Sequence, residues 1–249
     1  MGSMTERYNG LPFKDELSLI SDEGASKIWE LKGRNDIIVR EDRGGFFEQN
    51  GRSAEALREG CKKVKMNFDI LRNQYGFNIP NFRFLLANST AGTGRKVFTV
   101  VDRVDGENLL DSFNKDEKLI DRYCDLFNRY CNYLKDQLTL SKECLFELRA
   151  EQFMVGRTMM DTEDKIYLVD LDNQFSDDPI RVISEVIQNH YLSEYYSDRP
   201  LLRARQSLLE LLNSLPEGQK EIIERNLHSI YPQENVFSER YGYLWTENT

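Results

Sequence analysis

The chain has 249 residues, 40% of them hydrophobic and 30% charged, and its 33 Lys+Arg against 42 Asp+Glu give a formal net charge of −9. This composition suits one large folded domain or two intimate lobes, and an acidic balance without a basic stripe does not suit a nucleic-acid binder. No apolar run approaches the roughly 20 residues of a membrane span, and no charged-then-apolar signal segment opens the chain, so a cytoplasmic protein with no membrane partner is expected.

In chain order, the turn-like Ser21-Asp22-Glu23-Gly24 precedes a strand over residues 26–31. A second strand, 36–41 (DIIVRE), is β-branched and bounded by Gly33 and Gly44-Gly45, so the two make a hairpin. From Ser53 the period turns helical: Leu57, Cys61, Val64, Phe68 and Leu71 recur three or four apart. Ser53 can cap this helix and Gly76 can end it. Residues 81–86 and 96–101 read as a strand pair around the polar, glycine-containing loop 89–94. Asp105-Gly106-Glu107-Asn108 reads as a turn and as the lobe boundary.

Beyond it, residues 116–138 form a long amphipathic helix whose stripe of Tyr123, Phe127, Tyr130 and Tyr133 reads as core. Residues 153–155 and 166–169 are short apolar runs on either side of the polar turn 161–165, a second hairpin. After Pro179 the pattern is helical over about 180–196, 200–214 and 217–229, and Tyr241, Tyr243 and Trp245 in the tail are expected to dock on the body. Strands segregated before helices give an α+β fold, with a small antiparallel-sheet lobe over 5–104 and a mostly helical lobe over 105–249. Cys61, Cys124, Cys131 and Cys144 lack C-x-x-C spacing and read as reduced thiols. Two histidines, His190 and His228, argue against a histidine-rich zinc site.

The sharpest chemical signal is Asp170-Leu171-Asp172, where the apolar run Ile166–Val169 ends in two carboxylates. Carboxylates at a strand end are hard oxygen ligands and suit Mg²⁺, although an Asp in this position also caps an ordinary turn.

Around that pair, residues 19–178 resemble the protein-kinase-like superfamily. Residues 21–28 are similar to a shortened Gly-rich loop with Gly24 as its glycine, and Ile37-Ile38-Val39-Arg40 is similar to the V-A-I-K strand, with Arg40 in the place of Lys. Glu59 follows 19 residues later, where the family carries the acidic partner of that Lys. Residues 100–109, with Asp102 and Val104, resemble the hinge whose backbone holds adenine. Glu147 and Gln152 have the spacing of the Asp and Asn of the catalytic loop, and Asp170 follows in the place of the D-F-G aspartate.

The resemblance implies a bilobal fold and an ATP- and Mg²⁺-dependent phosphotransferase acting on a small-molecule or protein acceptor. It implies that Arg40 holds phosphates and Glu59 orients Arg40. Asp170, Gln152 and Asp172 would hold the metal, and Glu147 would accept the hydroxyl proton. Arg for Lys, Glu for Asp and Gln for Asn depart from the family pattern. A pseudokinase, binding nucleotide or a protein without turnover, is therefore the alternative reading, and nucleotidyl transfer is a third. No A-P-E signature follows Asp172.

Overall fold

The computed structural model of the protein describes residues 8–9, 16–22, 26–42, 53–89, 95–113, 115–140, 144–145, 148–171, 175–176, 178–187 and 202–230. The chain divides into two compact units: residues 1–112 with 150–174, and residues 113–149 with 175–249.

The first unit is built on an antiparallel sheet in the order β1-β5-β6-β4-β3-β2. Its strands are β1 (Tyr8–Asn9), β2 (Leu17–Ser21), β3 (Ser26–Leu31), β4 (Arg34–Asp42), β5 (Phe82–Ser89) and β6 (Arg95–Asp102). Side chains alternate across a strand, so Ile37, Val39 and Glu41 of β4 share one buried face, and Ile38 and Arg40 share the other. On the first face Leu31, Ile37, Val39, Ala87, Phe98 and Val100 form one apolar cluster. Helix α1 (Ala54–Tyr75) packs on the second face, where Phe68 meets Phe82 edge-on with ring centroids 5.6 Å apart. Ser53 caps α1 by accepting from the Ala56 N–H, and Gly76 ends it in the left-handed conformation that glycine adopts without steric cost (φ 69°).

A second, three-stranded sheet in the order β10-β9-β7 completes this unit, from β7 (Asp105–Asn108), β9 (Phe153–Arg157) and β10 (Lys165–Leu168). Asn78, just beyond α1, joins it to the rest: its side chain donates to the Ile166 carbonyl at 3.1 Å, and its own carbonyl accepts from the Leu168 N–H at 2.9 Å. Phe77 beside it stacks on Phe153.

Two expectations change here. Residues 105–108, read as a turn, are strand β7. Gly106 lies opposite Gly156, and the two backbones approach so closely that neither position has room for a side chain. The expected division at 104/105 is likewise not where the compact units part. β7, the short helix α2 (Leu109–Ser112) and the β9–β10 hairpin group with the first sheet, because β7 continues from β6 and the hairpin pairs with β7 and Asn78.

The second unit is helical: α3 (Lys118–Leu140), α4 (Pro179–Ile187), α5 (Leu202–Asn213) and α6 (Glu217–Ile230), with a two-stranded ladder of β8 (Cys144–Leu145) and β11 (Phe175–Ser176). The aromatic stripe of α3 is core, as its spacing predicts: Tyr123, Phe127, Tyr130 and Tyr133 are all buried. Two of its hydroxyls find partners at one residue, since Tyr130 donates to the Leu145 carbonyl at 2.7 Å and Tyr133 accepts from the Leu145 N–H at 3.0 Å. All four cysteines are free thiols, and burial pushes Cys144 up to about 12. The tail residues Tyr241, Tyr243 and Trp245 lie outside the described residues. Among the described residues no helix is long and apolar enough to cross a membrane.

The glycine pair gives a direct test. A Cβ on Gly106 would lie 2.0 Å from the Val155 carbonyl oxygen, and one on Gly156 would lie 2.3 Å from that of Asp105. Gly106→Ala or Gly156→Ala should therefore cost about 3 kcal/mol or more. Gly218, exposed in α6 with nothing within 4 Å of its Cβ position, is the control: Gly218→Ala should be neutral or stabilise by up to about 1 kcal/mol. Urea unfolding of the three variants reads both outcomes.

Candidate functional site

The residues that meet in the first unit are Arg40 and the chain just after β10. Alternation along β4 sends Arg40 to the face opposite Val39, and Thr99 lies across from it on β6. The Arg40 guanidinium donates from Nη1 to the Val169 carbonyl at 2.8 Å and from Nη2 to Asp170 Oδ1 at 3.0 Å. The Arg40 side chain is 12% exposed and that of Asp170 is 36% exposed, so the pair is neither a surface bridge nor a fully dry one. Charge-assisted contacts of this length are roughly twice as strong as neutral ones.

Asp170 is held in place from three sides. The Val169 N–H donates to the Gln152 carbonyl at 3.0 Å, the Leu168 N–H is bound by Asn78, and Leu171 is completely buried. A 3-10 turn at Ala150–Gln152 sets Gln152 in position, and Asn108 donates to the neighbouring Glu151 carbonyl at 2.8 Å. The hinge-like segment is also fixed. Asp102 donates its N–H to the Asn81 carbonyl at 2.9 Å and accepts from the Asn81 amide at 2.9 Å, and the Arg103 N–H donates to the Asp36 carbonyl at 2.8 Å. Val104 is buried, and none of the loop backbone hydrogen bonds among the described residues ends on it.

Of the residues singled out from sequence, the structure brings Arg40 and Asp170 together, with Gln152 one backbone hydrogen bond away. Glu59 is elsewhere: it is exposed on α1 and pairs with Lys62 at 3.4 Å, an ordinary (i, i+3) surface contact. The expected Arg40–Glu59 pair is thus an Arg40–Asp170 pair, because the buried stripe of α1 runs through Leu57, Gly60, Val64, Phe68 and Leu71 and leaves Glu59 off it. Gly24, Glu147 and Asp172 lie outside the described residues.

Of the donor set expected for Mg²⁺, Asp170 and Gln152 are among the described residues and Asp172 is not. Asp170 Oδ1 already accepts from a guanidinium, and the Gln152 backbone carbonyl accepts from the Val169 N–H beside it. Among the described residues no three His, Cys, Asp or Glu side chains come together as a metal site. Magnesium requires near-octahedral oxygen ligands at about 2.0–2.1 Å, and a cation is already held at this carboxylate.

A polar cleft of about 620 Å³, marked by no motif, lies elsewhere in the same unit. It is lined by Asp36, Arg103, Asp105, Arg157, Thr158 and Asp161 among others, but not by Arg40 or Asp170. Two of its acids, Asp36 and Asp161, are engaged. Asp36 pairs with Arg34 at 2.7 Å. Asp161 accepts from the Thr158 N–H at 2.9 Å and from the side chains of Thr158, Lys165 and Tyr167. Those donors, Lys165 first, hold the Asp161 carboxyl well below the usual range. Burial and the Asp161 carboxylate push Tyr167 up to about 12.

No protein-family model matches the chain, and no curated protein matches it in sequence. Among solved structures, it is similar to the GDP complex of wild-type aminoglycoside 2'-phosphotransferase-IIIa, at 12% identity and a TM-score of 0.41, over 92% of this chain and 90% of that one. It is similar to WaaP in complex with acyl carrier protein, at 12% identity and a TM-score of 0.42, over 89% and 93%. It is also similar to the GDP and kanamycin complex of APH(2")-IIia, at 13% identity and a TM-score of 0.44, over 92% and 91%. These likenesses are distant. In chain order the first unit runs through the β3–β4 hairpin carrying Arg40, helix α1, the β5–β6 pair, β7, and the β9–β10 hairpin that leads to Asp170. The fold is α+β, with its large antiparallel sheet in one unit and most of its helices in the other. The β-rich unit carries Arg40 and Asp170.

Two outcomes follow. Asp170→Ala leaves a largely buried guanidinium without this carboxylate and should destabilise by about 1–3 kcal/mol, below the cost of opening a fully buried pair, whereas Glu59→Ala should stay within about 0.5 kcal/mol of wild type; chemical denaturation of the two separates them. The Tyr167 pKa in the folded state lies above its ordinary value near 10, so its stabilisation is complete below about pH 10 and is lost as pH rises through about 12. Asp161, lowered, contributes stability above the usual carboxylate range and loses it as pH falls through its depressed value. Urea midpoints should decline on the alkaline side for wild type, and Tyr167→Phe should remove the part of that decline due to this phenol.

Proposed function

We propose that the protein is a cytoplasmic, kinase-like phosphotransferase that binds ATP in its β-rich unit. Arg40 meets the phosphates, and the backbone around Asp102 and Val104 meets the adenine. The observation that carries this reading is Arg40 held at the strand-end aspartate 130 residues away in sequence. Arg is an apt phosphate ligand, since its planar fork matches phosphate oxygens and stays charged at any working pH. Catalysis in phosphoryl transfer is mostly positioning and charge stabilisation, and a fixed guanidinium contributes to both. Gly24 and Glu147 enter by sequence position alone, as the loop over the phosphates and as the group that accepts the proton of the acceptor hydroxyl. The acceptor is a small molecule or a protein, and no metal step belongs to this reading.

A second reading, a pseudokinase that binds nucleotide as a module, is supported by the same contact. A guanidinium occupies the carboxylate, and the Lys, Asp and Asn positions of the motif are all altered. Titration calorimetry with ATP and GTP, together with mass spectrometry of the protein and of candidate acceptors after incubation with ATP, decides between them. The expected result is ATP binding weakened about tenfold or more by Arg40→Ala, with an added phosphate whose formation is slowed by Glu147→Gln. Binding without transfer to any acceptor supports the pseudokinase. An added AMP would point to nucleotidyl transfer, and no binding of either nucleotide sinks every reading except a pseudokinase that binds a protein alone.

A further inference from the structure

The Arg40 guanidinium sits at the carboxylate that the resemblance to kinase-like proteins assigns to a metal. It spans the Val169 carbonyl at 2.8 Å and Asp170 Oδ1 at 3.0 Å, and its side chain is 12% exposed. The acidic residue expected to draw it toward α1, Glu59, is instead exposed beside Lys62. The segment that presents Asp170 is pinned by the Gln152 carbonyl and by the buried Leu171, so the carboxylate stays with the guanidinium. We infer that Arg40 is the resident cation of Asp170, taking the place of a divalent metal ion, and that this unit takes the polyphosphate of a nucleotide without one.

The physical argument rests on competition for one carboxylate. A divalent ion bound to Asp170 would lie within a few ångströms of a permanently charged guanidinium, and the two cations repel strongly in a partly buried setting. Mg²⁺ also gives up its water reluctantly and needs near-ideal oxygen geometry. Arginine is weakly hydrated and cannot lose its charge, and its fork satisfies a carbonyl and a carboxylate together. A lysine, a single strongly hydrated point charge on a flexible stem, would yield to a metal more readily. The internal cation therefore holds the position at every pH at which the protein is folded. Incoming phosphates meet a guanidinium already in place, and no ion has to be imported with them.

The nucleotide half of this inference rests on the reading of ATP binding given above; the metal half does not. It is tested on the whole protein with Mn²⁺ as probe, without nucleotide, following the loss of the free-ion signal by electron paramagnetic resonance. Wild type and Asp170→Asn should take up Mn²⁺ alike. Arg40→Gln should gain a site at least tenfold tighter, and Asp170→Asn on that background should abolish it. Arg40→Lys should gain the same site more weakly, and serves if the glutamine variant does not fold. In calorimetry, ATP should bind wild type equally, within about threefold, in EDTA and in Mg²⁺. Wild-type Mn²⁺ binding that depends on Asp170 would overturn the inference, as would no gain in either Arg40 variant or a tenfold loss of ATP affinity in EDTA. If no nucleotide binds under any condition, the proposed function fails, and the Mn²⁺ comparison still decides whether Arg40 is the cation of Asp170.

Discussion

One guanidinium, that of Arg40, binds a backbone carbonyl and a carboxylate that lie 129 and 130 residues further along the chain. The surrounding structure of the β-rich unit reads as what that contact requires. Val39 and Val100 anchor the opposite face of β4 and β6 in the apolar cluster, which fixes the strand from which Arg40 projects. Asn78 ties the end of α1 to β10, and Gln152 takes the Val169 N–H, so the acceptors are fixed as well. Pre-positioning both ends lowers the side-chain entropy that an ion pair must otherwise overcome. A partly buried charge with fixed acceptors is also costly to leave unpaired, so the contact and its supports hold each other in place.

Much of the fold was legible because its signals are local. Ser53 and Gly76 mark the ends of α1, the β-branched run around Val39 marks β4, and the aromatic spacing on α3 marks a buried face. β7 was not legible. Asp105-Gly106-Glu107-Asn108 has turn composition, and the reason it is a strand lies 50 residues away, in a second glycine that lets two backbones close together. Composition records which conformations a residue tolerates; it does not record which partner arrives. The same gap explains the unexpected grouping of 150–174 with the first sheet, since the pairing of a hairpin with β7 and Asn78 is a tertiary fact.

Glu59 is a different kind of miss, because the sequence held the correction. At about 100° per residue, Glu59 lies roughly 140° from the middle of the stripe formed by Leu57, Gly60, Val64, Phe68 and Leu71. Sequence separation from Arg40 placed Glu59 on the right helix, and the helix's own periodicity placed it on the wrong side. The motif argument and the packing argument disagreed, and packing decided, as it does whenever burying an apolar stripe outweighs one surface charge pair.

Two aspartates at the ends of the same hairpin strand show how much local donors decide. Asp161, in the turn before β10, collects a backbone N–H, a hydroxyl, an ammonium and a phenol, all from residues within six positions of it. Its charge is satisfied by the hairpin that carries it, which is why it acts as a structural group although it borders a cleft. Asp170, after the same strand, takes its cation from β4, across the unit and far along the chain. A carboxylate satisfied by its own turn can be removed at the expense of that turn alone. One satisfied by a distant strand couples the geometry of both, so a ligand that draws Arg40 away also disturbs the setting of Asp170. That coupling, rather than either residue taken singly, is what distinguishes this site from an ordinary strand end.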